Sequence, residues 1–392
     1  MDVNRCKICF VVYKLDVGGL ERFISRIVNH FDKEFYQFSI ACLSSGNGAM
    51  EWIEDRKAVE FIEFDKEAKS SSKLRAELSS YFHRNQFQIV QSHNWGTLGD
   101  THLSLTKAGC KRTGFVHAER GTVLGNPPAK GIRFLLRALA MRFHLTACDK
   151  LLCNAHEIAR KINNYTWYPL DKIQVIPNGI ANRVQEHELQ KLRCDQRVAL
   201  GIGSDEFVVG MVGRLAEVKN FPLAMKAFAS LKARVDRPCR LVIVGDGPLN
   251  VQLRDLANSL SGEFHSISFL GEIKNCLNLY PAFDVFLNSS RSEGMSQSVL
   301  EALSMGCPVL ATDVGDHRRI LMETDGVAGV VVPNGDLEAL STSLAMCYNG
   351  SLDLKALGRQ ALIVQQRHYS LASMLEQYDR IYRELFAGVC KR

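Results

Sequence analysis

The sequence predicts an α/β protein made of two doubly wound domains, each a parallel sheet with helices on both faces. Three observations predict it. The chain has 392 residues, too long for one ordinary core and suited to two domains of about 200 each. Short apolar runs alternate with helix-period stripes along the chain, the pattern of parallel strands joined by crossover helices. The alternation also pauses near the middle, where Pro177-Asn178-Gly179 is a turn signal and residues 182–204 are polar with only a short helical stretch. The domains are therefore set at 1–180 and 181–370, with a terminal segment at 371–392.

The elements follow in order. Ile8–Tyr13 reads as a buried strand, and Leu20, Phe23, Ile24, Ile27, Val28 and Phe31 then repeat at 3.6-residue spacing as one helix stripe. Further first-half strands are expected at Phe38–Cys42, Val59–Ile62, Ile89–Ser92, Gly114–His117, Lys150–Asn154 and Ile173–Ile176. Strands resume at Phe207–Val212, followed by a helix opening near Pro222, whose fixed φ suits a first turn. Leu241–Val244, Ile267–Leu270, Val285–Asn288, Pro308–Ala311 and Gly329–Val332 complete the second set, with helices at Leu249–Leu260 and Leu337–Tyr348 between them.

Composition narrows the class. With 46% hydrophobic and 23% charged residues the chain reads as soluble and globular. Ile8–Tyr13 is too short to span a bilayer or to form a signal-peptide core, and Lys14-Leu15-Asp16 does not resemble a cleavage site, so the expected location is the cytoplasm. Of the twelve cysteines, Cys6 and Cys9 form a C-x-x-C, but strand positions three apart face opposite ways and no second pair or H-x-x-x-H accompanies them. Reduced, mostly buried thiols are expected, without a zinc site. Residues 1–180 hold 25 Lys+Arg against 18 Asp+Glu, whereas residues 181–392 hold 23 against 24. The first half therefore carries the basic excess, which suits an acidic partner or an anionic membrane surface. It is too small and too little mixed with aromatics to indicate nucleic acid.

The chemically informative residues fall where strands give way to helices, the ligand-binding end of open α/β sheets. Gly18-Gly19 opens the first helix and leaves backbone N–H groups free for an anion, although a Gly-Gly also serves a plain tight turn. Arg214 and Lys219 share one loop ahead of a helix N-terminus, supplying two cations and a positive dipole end; as a bare pattern they are two solvated surface charges. Glu293 closes a loop after Val285–Asn288, where a carboxylate also serves as a helix cap. Glu301 follows eight positions later among Val299, Leu300, Ala302, Leu303 and Met305, a setting in which its charge needs a partner.

From Glu293 to Gly315 the chain resembles the E-x7-E region of retaining glycosyltransferase family 4, with Gly306-Cys307-Pro308-Val309 continuing the match. Val175-Ile176-Pro177-Asn178-Gly179-Ile180, Val244-Gly245-Asp246-Gly247-Pro248-Leu249 and Phe269-Leu270-Gly271 resemble further segments of that family in the same order. The resemblance runs from about 175 to 335, with Gly18-Gly19 agreeing at the front. It implies the GT-B architecture, two Rossmann-like domains facing across a cleft, and a transferase using a UDP-, GDP- or ADP-linked sugar. It further implies that Arg214 and Lys219 hold the diphosphate, that Glu301 binds the ribose, and that Glu293 contacts donor-sugar hydroxyls. Gly294, Met295, Ser296 and backbone N–H groups near Val299 line the donor site, Gly19 approaches the phosphate from the first domain, and His117 lies over the sugar. Glu293, His117, Lys219 and Arg214 thus form the expected catalytic set. As a residue pattern alone, a histidine at a strand end is more often structural.

No D-x-D occurs in the sequence, consistent with the expectation that no metal or other cofactor is used. His93, Asn94, Glu119 and Arg120 are candidate acceptor contacts. Residues 130–144 form a basic amphipathic helix, with Ile132, Leu135, Leu136, Leu139 and Phe143 on one face and Arg133, Arg137 and Arg142 elsewhere. It either packs on its own sheet or rests on an anionic membrane. The latter suits a peripheral enzyme with a lipid-linked or saccharide acceptor in polysaccharide or glycolipid assembly. Two other readings stand beside the transferase: an inactive nucleotide-sugar-binding scaffold, and a sugar-nucleotide epimerase of the same architecture. A glycosidase fits less well, because eight helical residues rise about 12 Å, more than the 5–9.5 Å or so between paired glycosidase carboxyls. Leu371, Met374, Leu375, Tyr378, Ile381, Tyr382 and Leu385 form a last amphipathic helix, which by resemblance crosses back to the first domain.

Overall fold

The computed structural model describes residues 5–16, 18–121, 130–181, 186–260 and 266–391. The chain divides into two compact units, Met1–Pro177 with Met374–Arg392, and Asn178–Ser373. The division falls inside the Pro177-Asn178-Gly179 turn.

In the first unit the order is β1 (Cys6–Val12), α1 (Gly19–His30), β2 (Tyr36–Cys42), β3 (Glu60–Glu63), α2 (Ser71–Asn85), β4 (Ile89–His93), α3 (Trp95–Ala108), β5 (Gly114–Glu119), α4 (Gly131–Leu145), β6 (Lys150–Cys153), α5 (His156–Thr166) and β7 (Ile173–Val175). The strands form one seven-stranded parallel sheet in the order β3-β2-β1-β4-β5-β6-β7. β1 lies in the sheet's interior and nearly all its side chains are buried, as a strand covered on both faces requires. Cys6 and Cys9 are both buried in it, and all twelve cysteines are free. Strand ends differ from the sequence reading by a residue or two. The consequential case is β5, which continues to Glu119 and places His117 within the strand rather than at its end.

The second unit runs α6 (Glu186–Ala199), β8 (Phe207–Val212), α7 (Phe221–Lys232), β9 (Cys239–Val244), α8 (Asn250–Leu260), β10 (Ile267–Gly271), β11 (Val285–Asn288), α9 (Gln297–Ser304), β12 (Val309–Thr312), β13 (Gly329–Val332), α10 (Leu337–Tyr348) and α11 (Leu354–His368). Its six strands are parallel in the order β10-β9-β8-β11-β12-β13. Val209, Met211, Leu241, Ile243 and Leu287 of the sheet pack with Ala224, Phe228 and Leu344 of the helices in one apolar core. The polar stretch 182–204 is a correction: it holds a fourteen-residue helix, α6. Its arginines hid it from a hydrophobic reading. Arg193 pairs with Asp284 at 2.6 Å, and Arg197, itself buried, reaches the same carboxylate and the Ala282 carbonyl.

The final helix α12 (Leu371–Lys391) belongs to the first unit from Met374 onward. Buried tyrosines hold it there. Tyr382 donates its hydroxyl to Gln91 at 2.7 Å, Tyr378 accepts from Arg120 at 2.7 Å, and Tyr36 donates to Asp379 at 2.8 Å.

Candidate active site

The second sheet reverses its winding between β8 and β11, so the loops leaving the carboxyl ends of these neighbours flank a crevice, the usual binding position in such sheets. Arg214 and Lys219 lie on the first loop, and Ser290 and Glu293 on the second. Backbone contacts fix the two loops together: Arg291 donates its N–H to the Val218 carbonyl at 2.7 Å, and the Ser289 hydroxyl donates to the Lys219 and Asn220 carbonyls. Asn220 takes a left-handed conformation, φ 49°, which turns the chain into α7.

The loops meet in one ion pair. Lys219 Nζ lies 2.6 Å from Glu293 Oε1, and the Ser290 hydroxyl donates to the same oxygen at 2.7 Å. Burial pushes the Glu293 carboxyl up, but the Lys219 charge and the two hydrogen bonds outweigh it and hold the pKa below its ordinary value. Glu293 is therefore ionised at neutral pH. Lys219 has three donors and commits one here, leaving others for an anion. Arg214 is exposed, and among the described residues no hydrogen bond or ion pair engages its guanidinium.

Glu301 lies in α9 with 8% of its surface exposed. The partner its charge requires is Tyr280, whose hydroxyl donates to Oε2 at 2.9 Å; Gln297 reaches Oε1 at 3.4 Å. Only the part of the eight-residue interval from Gln297 onward is helical. Gly294 and Met295 lead into Ser296, the residue capping α9, and Val299 is fully buried one turn in. The turn after β12 closes one side of the site. Gly315 has φ 59°, and a Cβ there would lie 2.5 Å from the Gly294 carbonyl oxygen, so only glycine fits. Gly245 is constrained likewise, with φ 132° and the Gly213 carbonyl in the way of any side chain.

The first-unit candidates are placed differently. Gly19 heads α1 with open space around it. His117 and Glu119 are fully buried, their side chains 3.5 Å apart, and His117 Nδ1 shares a hydrogen with Ser92 at 2.8 Å. His93 is buried beside Gln91. The Arg120 guanidinium stacks 3.4 Å over the Phe23 ring, and its backbone N–H donates to the Asn94 side-chain oxygen at 3.0 Å. Of the four expected acceptor contacts, Asn94 and Arg120 retain some exposure, whereas His93 and Glu119 are sealed.

The sequence reading missed Ser290 and Tyr280, and with them Thr312, whose hydroxyl donates to the Ser290 carbonyl at 2.7 Å, and His317, whose Nδ1 lies 2.8 Å from the Thr312 carbonyl. Ser290 was inside the motif but carried no distinguishing signal, and Tyr280 sits 21 residues before the glutamate it serves. Among the described residues no cluster of three or more His, Cys, Asp or Glu is arranged to hold a metal ion.

Known proteins match over these same regions. Glycosyltransferase Family 4 matches residues 17–182, and Glycosyl transferases group 1 matches residues 206–349. The chain belongs to the group 1 glycosyltransferases of GT-B fold. EpsF of Bacillus subtilis is 31% identical over 179 residues, 45% of this chain and 46% of that protein, so the match spans less than half of that relative. The UDP-Gal:alpha-D-GlcNAc-diphosphoundecaprenol alpha-1,3-galactosyltransferase of Escherichia coli is 25% identical over 82% of this chain and 84% of its own length. The structure of Anabaena HepE in complex with UDP superposes with a TM-score of 0.78 at 17% identity, covering 97% of this chain and all of the other. That likeness is one of fold.

Proposed function

We propose that the protein transfers a sugar from a nucleotide-diphosphate sugar to a hydroxyl acceptor, retaining the anomeric configuration and using no metal ion. The observation that carries the reading is the Lys219–Glu293–Ser290 cluster at the sheet's switch point, with the uncommitted Arg214 beside it. Breaking the bond between the sugar and the phosphate oxygen leaves negative charge on the diphosphate. Arg214, Lys219 and the N–H groups opening α9 stabilise that charge in place of a metal. The acceptor oxygen bonds to the anomeric carbon on the face the diphosphate leaves, and its proton passes to the departing phosphate oxygen. Glu301 takes the ribose hydroxyls and Glu293 the sugar hydroxyls.

UDP is favoured over GDP and ADP as the carrier, because HepE was solved with UDP and the Escherichia coli relative is named for UDP-Gal. The diphosphoundecaprenol in that relative's name supports a lipid-linked acceptor. α4 supports the same choice. No helix among the described residues is long and apolar enough to cross a membrane, but α4 packs inward through Ala138, Met141 and Leu145 and leaves Ile132, Leu136 and Phe143 at least 60% exposed, with Leu135 and Leu139 also outward. From Arg120 to Cys148 there is no acidic residue, and Lys130, Arg133 and Arg137 accompany the apolar face. That face fits an anionic lipid surface, where each cation contributes about 1 kcal/mol.

The test is the product. Incubation with UDP-glucose, UDP-galactose and their GDP and ADP counterparts plus a diphospholipid-linked saccharide should yield one product, with an anomeric proton coupling that matches the donor's configuration. An inverted product would refute retention, and undiminished activity after exhaustive chelation is expected. Anionic vesicles should pellet the protein at low salt, and Leu136→Glu with Leu139→Glu should abolish pelleting while leaving Tm unchanged. Equal pelleting by the double variant would remove α4 from the account.

A further inference from the structure

We infer that Trp167, with Leu170, is a second lipid contact of the first unit, seating its indole in the interface of an anionic bilayer alongside α4. The inference rests on the membrane reading of α4 above and deepens it. All three tryptophans of the chain lie in described residues, and only Trp167 is exposed, with 54% of its surface open. Its place in the fold is unusual for so large a side chain. α5 ends at Thr166, and Trp167 follows in a left-handed conformation, φ 54°, with its N–H on the Asn163 carbonyl at 2.8 Å. That closing position favours glycine, which has no Cβ to penalise there. The loop is nonetheless well anchored. Thr166 and Tyr168 on either side are buried, and the Asn163 side chain donates to the Tyr168 carbonyl at 2.9 Å. Trp167 is thus presented to solvent on a fixed backbone, and Leu170, three residues on, is 47% exposed.

Two ties place this loop against α4. The Phe134 and Tyr165 rings meet edge to face with centroids 5.4 Å apart. Arg142 donates to the Thr166 carbonyl at 3.1 Å and also to the Trp167 carbonyl. Arg142 stands one helical turn from Leu139, so it borders the outward apolar face of α4, and the loop it grips lies along that border. Charge selects the occupant. The Arg142 guanidinium is committed to these carbonyls, but Lys130, Arg133 and Arg137 on α4 and Lys172 after the loop are exposed. The acids of this region are offset: Glu157 of α5 pairs with Arg160 and Lys161, and Asp171 has Lys172 next to it. An apolar surface bordered by cations matches anionic headgroups over acyl chains. Tryptophan suits that boundary, its ring apolar and its N–H able to donate to headgroup oxygens. Contact along α4 alone leaves the unit free to roll about the helix axis, and a second contact to one side fixes that roll.

The test reads Trp167 directly. Full-length wild type, Trp167→Phe and Trp167→Gly are titrated with phosphatidylglycerol vesicles at low salt. Tryptophan emission, its quenching by brominated acyl chains, and pelleting are followed together. Glycine relieves the left-handed residue, so the Tm of Trp167→Gly should not fall and loss of fold does not confound that variant. In wild type the emission should shift to the blue and be quenched; Trp167→Phe should lose both signals while still pelleting. Trp167→Gly should pellet about tenfold more weakly. Wild-type pelleting with unmoved, unquenched emission would overturn the inference, as would equal pelleting by Trp167→Gly or an equal response to phosphatidylcholine vesicles. A blue shift that rises with protein concentration in the absence of vesicles would assign Trp167 to a second copy and overturn it too. Failure of the wild type to pellet would instead defeat the membrane reading of α4 beneath it.

Discussion

The two sheets treat the charges at their carboxyl ends in opposite ways. In the second unit Lys219, Glu293 and Ser290 stand on loops tied together by backbone hydrogen bonds, with Arg214 exposed at the margin. In the first unit His93, His117 and Glu119 are sealed inside the sheet, and Arg120 is spent on Phe23 and the C-terminal helix. The second unit thus leaves charge at an open loop margin, whereas the first ties its charged groups into the fold. Substitutions in the second unit should therefore be felt chiefly in activity, and those in the first chiefly in stability.

The largest expected effect tests the active half of that contrast. On the proposed mechanism Lys219→Ala removes a cation from the leaving diphosphate and should cost about 10²- to 10³-fold in turnover at saturating donor, with Tm changing much less than activity. A turnover within a few-fold of wild type would refute the role. Arg120→Met tests the other half. It leaves the buried Tyr378 hydroxyl without its donor and strips the cation from the Phe23 face, so unfolding should lose about 1–3 kcal/mol while nucleotide affinity is unchanged. A loss of nucleotide affinity without destabilisation would break the comparison.

Acid should sharpen it with a smaller effect. Burial holds His93, His102, His144 and His317 below the ordinary histidine value of 6.5. As pH falls through that value the unfolded chain takes up protons that the folded chain refuses. Stability is therefore full above about pH 6.5 and declines below it, toward each folded pKa. Three of the four lie in the first unit, so hydrogen exchange between pH 7.5 and 5 should show that unit loosening first. Uniform loosening, or none, would contradict the assignment.

Much of the fold was legible because parallel strands covered on both faces are short apolar runs, as at Ile8–Tyr13 and Phe207–Val212. What escaped was structure held by polar contacts: α6 depends on arginines reaching Asp284, and a hydrophobic pattern does not register that. The site was legible where its residues are consecutive. Glu293 through Glu301 form one segment whose glycine, Gly294, and two carboxylates are chemically conspicuous. Tyr280, Thr312 and His317 join it only through the stacking of neighbouring strands, and nothing local marks them. The same limit applied to His117: the strand's end was read two residues early, so an interior position was taken for a terminal one. For α4 the sequence left two faces possible, and only packing showed the apolar one to be outward.

In the proposed reading the Lys219–Glu293 cluster and Glu301 form a nucleotide-diphosphate site in the second unit. The most direct test is titration calorimetry of the full chain with UDP, GDP and ADP, repeated on Lys219→Ala and Glu301→Ala. Saturable binding of one nucleotide, UDP, weakened at least tenfold in both variants, is expected. Binding of none, or binding of UDP that neither substitution disturbs, would contradict it.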